Sequence, residues 1–181
     1  MVYYQRNLPH WLPEEKSFFV TWRLHGSLPV IFLKKLHEDN ESEHGKKFLC
    51  FDSKLDGANF GPVWLKNPQM ANTVVAAMYR VAQRGWCAVH AYVVMPNHVH
   101  LLVEPTTELR QITRAIKGSS ACACNEILRR TGLPFWQQES YDHWVRNPAS
   151  FEKIRHYIEQ NPVSAGLVKY PEDWEWSSAH K

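Results

Sequence analysis

The fold is decided by residues 86–103, WCAVHAYVVMPNHVHLLV, in which two apolar, β-rich runs flank a Met-Pro-Asn turn. This pattern predicts two antiparallel strands joined as a hairpin. Side chains alternate between the faces of a strand, so His98 and His100 share one face and the apolar residues beginning at Val99 share the other. The apolar face can pack against helices. The two imidazoles are then presented together on the opposite face, near a turn where a site has access to solvent.

The elements around this hairpin predict an α+β fold. Pro68 begins a helix that Gly85 ends, and Pro162 should end the last helix because the residue before a proline is pushed away from helical geometry. The predicted elements are a strand at 17–24, a short helix at 30–38, a helix at 68–84, strands at 86–94 and 98–103, a helix at 108–130, a fourth strand at 140–146 and a helix from 148 to 160 or 161, followed by an irregular tail. This order predicts a ferredoxin-like sandwich, an antiparallel sheet with two helices on one face.

Length and composition indicate one globular domain over residues 1–181, with an irregular, polar insertion at about 39–67. Hydrophobic residues make up 44% and charged residues 22%, which argues against global disorder. The net charge of +3 permits a nucleic-acid partner without requiring one. No apolar run is long enough for a membrane helix, and the four cysteines contain no CxxC pair. We therefore expect a cytoplasmic protein with reduced thiols and no membrane partner.

A second pair of residues, on the last predicted helix, has compatible chemistry. Tyr157 and Asn161 are four residues apart, so they lie on one helical face, one turn from each other. Two neutral imidazoles are typical ligands of a divalent metal, and the Asn161 carbonyl oxygen suits magnesium or manganese. The Tyr157 phenol can attack phosphorus once it is deprotonated. Plainer interpretations exist, because the histidines can simply line a partly buried sheet face and Tyr157 can pack in the core.

Longer strings of the sequence resemble one family. The string YVVMPNHVHLL at 92–102 resembles the HUH motif, two histidines around a hydrophobic residue, of single-tyrosine transposases. The stretch from Trp136 to Arg146, the strings IRHYI at 154–158 and NPVSAGLV at 161–168, and the closing Trp176-Ser177-Ser178 resemble REP-associated tyrosine transposases. The resemblance covers most of the chain, and its two separate motifs stand in the family's order.

This resemblance implies a ferredoxin-like fold with the active-site helix on the face opposite the other two helices. It implies that His98, His100 and Asn161 hold Mg²⁺ or Mn²⁺ and that Tyr157 is the nucleophile. The tyrosine would become linked to a 5′ phosphate while a 3′ hydroxyl is released, so the bond energy is kept for rejoining. The implied substrate is single-stranded or hairpin DNA, cleaved and rejoined at palindromic elements.

Basic and aromatic residues supply candidate DNA contacts, because cations neutralise phosphates and aromatic rings stack on unpaired bases. The candidates are Arg110, Arg114, Lys117, Trp136, Tyr141, Trp144, Arg146 and Arg155. Tyr141 also competes with Tyr157 as nucleophile, although Val145 stands where a ligand would follow it. Two other functions stay open: a DNA-binding or regulatory protein of this fold without strand transfer, and a metal-dependent phosphodiesterase that uses water as its nucleophile. The sequence leaves monomer and homodimer undecided.

Overall fold

A computed structural model describes residues 2–5, 9–12, 17–29, 55–57 and 60–180 of the chain. The predicted short helix at 30–38 lies outside the described residues, and so does most of the predicted insertion at 39–67. The elements are β1 (Val2–Gln5), β2 (Pro9–Leu12), β3 (Phe18–Arg23), α1 (Pro68–Gln83), β4 (Cys87–Val94), β5 (His98–Pro105), α2 (Leu109–Ile127), β6 (Tyr141–Trp144) and α3 (Pro148–Ser164). Short 3₁₀ helices occupy Trp64–Lys66 and Pro171–Asp173.

Four strands form one antiparallel sheet in the order β4-β5-β3-β6, and β1 and β2 pair with each other. From β3 to β6 the elements alternate as β-α-β-β-α-β, which is the element order of a ferredoxin-like fold. The predicted α+β fold and the hairpin of β4 and β5 are confirmed. The candidate fourth strand at 140–146 is also confirmed, as β6.

Each face of the sheet packs against its own set of helices. On β3, Phe18, Val20 and Trp22 point into the larger core, which α1 and α2 cover. Phe19, on the other face, belongs to a smaller core that includes Ile158 of α3. All six residues of β3 are buried, because this central strand is covered on both faces. Two helices therefore lie on one face and α3 on the other, as the sequence predicted.

Two predicted helix ends are wrong, and the backbone shows why. α3 continues through Pro162 to Ser164, because a proline in the last turn removes only one late hydrogen bond. The helix then ends in a Schellman motif, in which the Leu167 amide donates to the Pro162 carbonyl at 2.9 Å. α2 ends at Ile127 rather than Arg130, because Arg129 adopts a left-handed φ of 54° at the equivalent position.

The tail after α3 is more regular than expected. Ser177 forms an antiparallel bridge with Val93 on the outer edge of β4. The Val94 amide donates to the Trp176 carbonyl at 2.8 Å, and the Ser178 amide donates to the Tyr92 carbonyl at 2.9 Å. The tail thus satisfies backbone groups that an edge strand would leave exposed. No helix in the described part of the chain is long and apolar enough to cross a membrane.

Candidate active site

The two histidines of β5 point away from α1 and α2, as predicted, toward the face that α3 covers. The His100 ring stacks on Phe19 at a centroid distance of 5.4 Å and meets the edge of Tyr157 at 5.8 Å. Both imidazoles have no exposed surface. The expectation of solvent access is therefore wrong for this conformation, because aromatic rings and a turn at 55–57 close over the histidines.

Neighbouring polar groups fix the orientation of each imidazole. His98 Nδ1 lies 2.7 Å from Asn97 Oδ1, and His100 Nδ1 lies 2.7 Å from Thr21 Oγ1. The Asn97 amide nitrogen donates to the Leu55 carbonyl at 3.0 Å, so its oxygen faces His98 and can only accept. A hydrogen on His98 Nδ1 is therefore held by the Asn97 oxygen, and Nε2 is the ring nitrogen directed into the site.

The Nε2 atoms of His98 and His100 face each other at 3.1 Å. In the metal-free protein one of them must donate to the other, and the Thr21 hydroxyl can serve the remaining nitrogen of His100 as either donor or acceptor. Partners that hold the Nδ1 atom and aim the Nε2 lone pair at a common point are typical of histidines that bind metals.

The last turns of α3 carry Tyr157, whose ring meets His100, and Asn161 one helical turn later. Tyr157 is partly buried, and its ring also meets Phe19 edge-on at 6.2 Å. The Asn161 side chain is 1% exposed, and neither its amide nitrogen nor its oxygen has a hydrogen-bond partner. A buried amide without partners is costly, which indicates that this position serves something other than stability. Together with the facing imidazoles, it fits a divalent ion.

Two further polar residues reach this site, and the sequence analysis missed both. Asp56 Oδ1 lies 3.5 Å from His98 Nε2. Arg23 stands directly opposite His98 in the pairing of β3 with β5, and its guanidinium donates to Ser27 Oγ at 3.2 Å. Burial lowers the pKa of Arg23 to about 10, so it stays charged at neutral pH. A positive charge therefore lies on the same face as the imidazoles.

Comparison with known proteins places this site in a family. The family model of IS200-like transposases matches residues 63–161, which include both histidines, Tyr157 and Asn161. The chain belongs to the IS200-like transposase family. Within this transposase family, a REP-associated tyrosine transposase of Escherichia coli (strain K12) is 33% identical over 97 residues. That match covers 51% of this chain and 54% of the relative, so the chain spans about half the length of the curated relative it matches.

A solved structure has the same fold as this chain. It is a REP-associated tyrosine transposase bound to a REP hairpin, with a TM-score of 0.64, 22% identity, and coverage of 99% of this chain and 84% of that one. At this identity the likeness shows the fold alone. The family match and the 33% identical relative, together with this shared fold, confirm the resemblance to REP-associated tyrosine transposases that the motifs indicated.

The predicted DNA-contacting residues of this chain do not form one surface. Four of them, Arg110, Arg114, Lys117 and Trp136, line a groove of about 670 Å³ between α2 and the 133–142 segment. Val20 also lines this groove. The groove therefore opens on the face of the sheet that α1 and α2 cover, away from the histidines. Lys117 Nζ donates to the carbonyls of Gln137 and Gln138 and to Ser140 Oγ, which fixes this segment instead of leaving the amine for a phosphate.

Of the aromatic residues predicted to contact DNA, two pack in or against the larger core and one lies on the histidine face. Trp136 is 7% exposed, and its indole N–H donates to Ser120 Oγ at 3.0 Å, so its predicted stacking on bases is wrong for this conformation. Trp144 is partly buried and packs against the larger core. Tyr141 lies on the histidine face, where it packs against the smaller core, and burial raises its pKa to about 12. Its phenol is therefore difficult to ionise.

The two remaining arginines are exposed near α3. Arg146 stands just before the helix and keeps its place as a candidate phosphate contact. Arg155 forms an ion pair with Glu152, in which Nη2 and Nε both donate to Oε2, at 2.6 and 3.0 Å. The structure thus brings together His98, His100 and Tyr157, with Asn161 one helical turn beyond the tyrosine, and it places three of the basic candidates in the groove on the other face.

Proposed function

We propose that this chain cleaves and rejoins single-stranded DNA through a covalent 5′-phosphotyrosine on Tyr157. One observation carries the proposal: the Tyr157 ring lies against His100, one helical turn before the buried and unpartnered Asn161 amide. Nucleophile and candidate metal ligands therefore converge from two elements far apart in sequence.

In the proposed reaction the Tyr157 hydroxyl loses its proton and its oxygen attacks phosphorus. A Tyr–O–P bond forms as the bond from phosphorus to the 3′ oxygen breaks, and that oxygen leaves as a 3′ hydroxyl with a proton. The number of phosphate ester bonds is unchanged, so the reverse reaction rejoins the strand without an external energy source. α3 contributes orientation, because its packing on the sheet limits the motion of the phenol before attack.

His98, His100 and Asn161 would hold Mg²⁺ or Mn²⁺, which when bound would act as a Lewis acid toward the scissile phosphate. Arg23 adds a positive charge on the same face, where a phosphate is favoured. We propose hairpin DNA as the substrate because the solved transposase of the same fold is bound to a REP hairpin. Since the imidazoles are closed to solvent, the substrate would have to displace part of their cover.

The test is to trap the covalent adduct. A pool of hairpin-bearing single strands is incubated with the protein and Mn²⁺, and the adduct is isolated under denaturing conditions and mapped by mass spectrometry. We expect the phosphate on Tyr157, no adduct with Tyr157→Phe, and a normal adduct with the matched control Tyr141→Phe. Cleavage by Tyr157→Phe without any adduct would support a water-using phosphodiesterase, and binding without cleavage would support a regulatory protein.

A further inference from the structure

The turn at 55–57 is attached to the histidine site by defined contacts. Leu55 is fully buried, and its carbonyl accepts the hydrogen bond from Asn97. The same asparagine orients His98 through its oxygen. Asn97 therefore connects the turn to the imidazole, so that the residue after Leu55 is delivered to the site.

That residue is Asp56, and it approaches the nitrogen of His98 that faces the site. Its Oδ1 lies 3.5 Å from Nε2, the atom that also faces His100 at 3.1 Å. A carboxylate oxygen and an imidazole nitrogen this close together are positioned to serve one divalent ion placed between them.

The charge of the donor set favours the cation. The two imidazoles and the Asn161 amide are neutral, whereas magnesium and manganese are hard ions that usually bind one or two carboxylates. Within the described residues, no three His, Cys, Asp or Glu side chains form a metal cluster on their own. Asp56 reaches one imidazole, so it needs a small movement to share an ion with both.

We propose that Asp56 is a further ligand of the divalent ion, supplying the negative charge that His98, His100 and Asn161 lack. This inference rests on the proposed function, because it concerns the same ion. It assigns a ligand to the segment before the family match, which begins at residue 63.

The experiment measures Mn²⁺ binding to the full chain without DNA, by calorimetry and by loss of the free-ion electron paramagnetic resonance signal. Asp56→Asn keeps the shape and removes the charge, so its Kd should rise by about tenfold or more. Asp142→Asn is the matched control, because Asp142 is a partly buried carboxylate lining the groove on the other face, and its Kd should stay within about twofold of wild type. Asp56→Glu keeps the carboxylate and should bind more tightly than Asp56→Asn.

The outcomes separate this inference from the proposed function. If wild type binds Mn²⁺, His98→Ala does not, and Asp56→Asn binds as wild type does, the Asp56 proposal is overturned and the proposed ion stands. If wild type binds no Mn²⁺, both are wrong. Melting in chelator checks folding. Should Asp56→Asn fail to fold, Asp56→Ser is measured instead: a Kd raised by about tenfold or more would support the proposal, and a Kd within about twofold of wild type would overturn it.

Discussion

Replacing Asn161 with leucine should leave the metal-free protein at least as stable as wild type while it abolishes metal binding. Asn161 is buried in α3, and both polar atoms of its side chain have no partner. Burying an unpaired amide costs about 1–3 kcal/mol in proteins, and leucine branches at the same carbon without polar atoms. Removing that cost offsets the strain of fitting two methyl groups into the space of the amide.

Asn125 offers a matched control, because it is also a buried asparagine on a helix. Its oxygen also has no partner, but its amide nitrogen donates to the Leu133 carbonyl at 2.8 Å, so leucine there would remove a hydrogen bond that Asn161 does not make. Asn125→Leu should lower the free energy of unfolding by about 1–3 kcal/mol. For a chain of this length that corresponds to a melting temperature lower by roughly 2–12 °C.

Thermal denaturation in chelator and Mn²⁺ titration should give opposite results for the two variants, one losing metal binding and the other losing stability. Asn161→Leu should melt at or above the wild-type temperature and bind Mn²⁺ weakly or not at all. Asn125→Leu should melt earlier and bind normally. An Asn161→Leu variant destabilised as much as Asn125→Leu would refute the reasoning, because it would mean that the Asn161 amide stabilises the fold.

Three further predictions follow from buried polar contacts. Thr21→Val should weaken Mn²⁺ binding by about 10- to 100-fold, because it removes the partner of His100 Nδ1, and a metal titration against Thr73→Val checks this. The pKa of Lys117 falls from its ordinary 10.5 to about 8, chiefly through burial, so the unfolded chain binds more protons between these values. The free energy of unfolding should then rise with pH over that range, and chemical denaturation of Lys117→Gln should show a smaller rise. Deleting residues 174–181 removes the bond from the Val94 amide and three other bonds to the edge of β4, which should cost about 4 kcal/mol and appear as a lower melting temperature than that of a chain lacking only residue 181.

The sequence predicted the face that carries the histidines because that face depends on local periodicity. The alternation at 98–103 assigns His98 and His100 to one side of β5, and the spacing of four residues assigns Tyr157 and Asn161 to one side of a helix. Both rules depend only on backbone geometry, so tertiary packing does not disturb them. The order of the elements then predicted which layer each face would meet.

What the sequence did not predict depends on long-range contacts. Asp56 stands in a polar segment with no periodicity, and only its tie through Asn97 brings it to His98. Trp136 has the composition of a base-stacking residue, but a partner sixteen positions away, Ser120, satisfies its indole inside the core. Pro162 does not end the helix, although the local effect of proline predicts that it should, because the stabilising contacts of the final turn outweigh one lost hydrogen bond.

The histidine site combines two properties that a structural core would not combine. Its imidazoles are fixed by partners that leave each Nε2 directed inward, and the neighbouring Asn161 amide is buried with nothing to bond. A core selected for stability would satisfy that amide or replace it. Polar groups that are oriented in advance and left unsatisfied are suited to an ion, because binding then needs little reorganisation. The cost of burying Asn161 is therefore best explained by function.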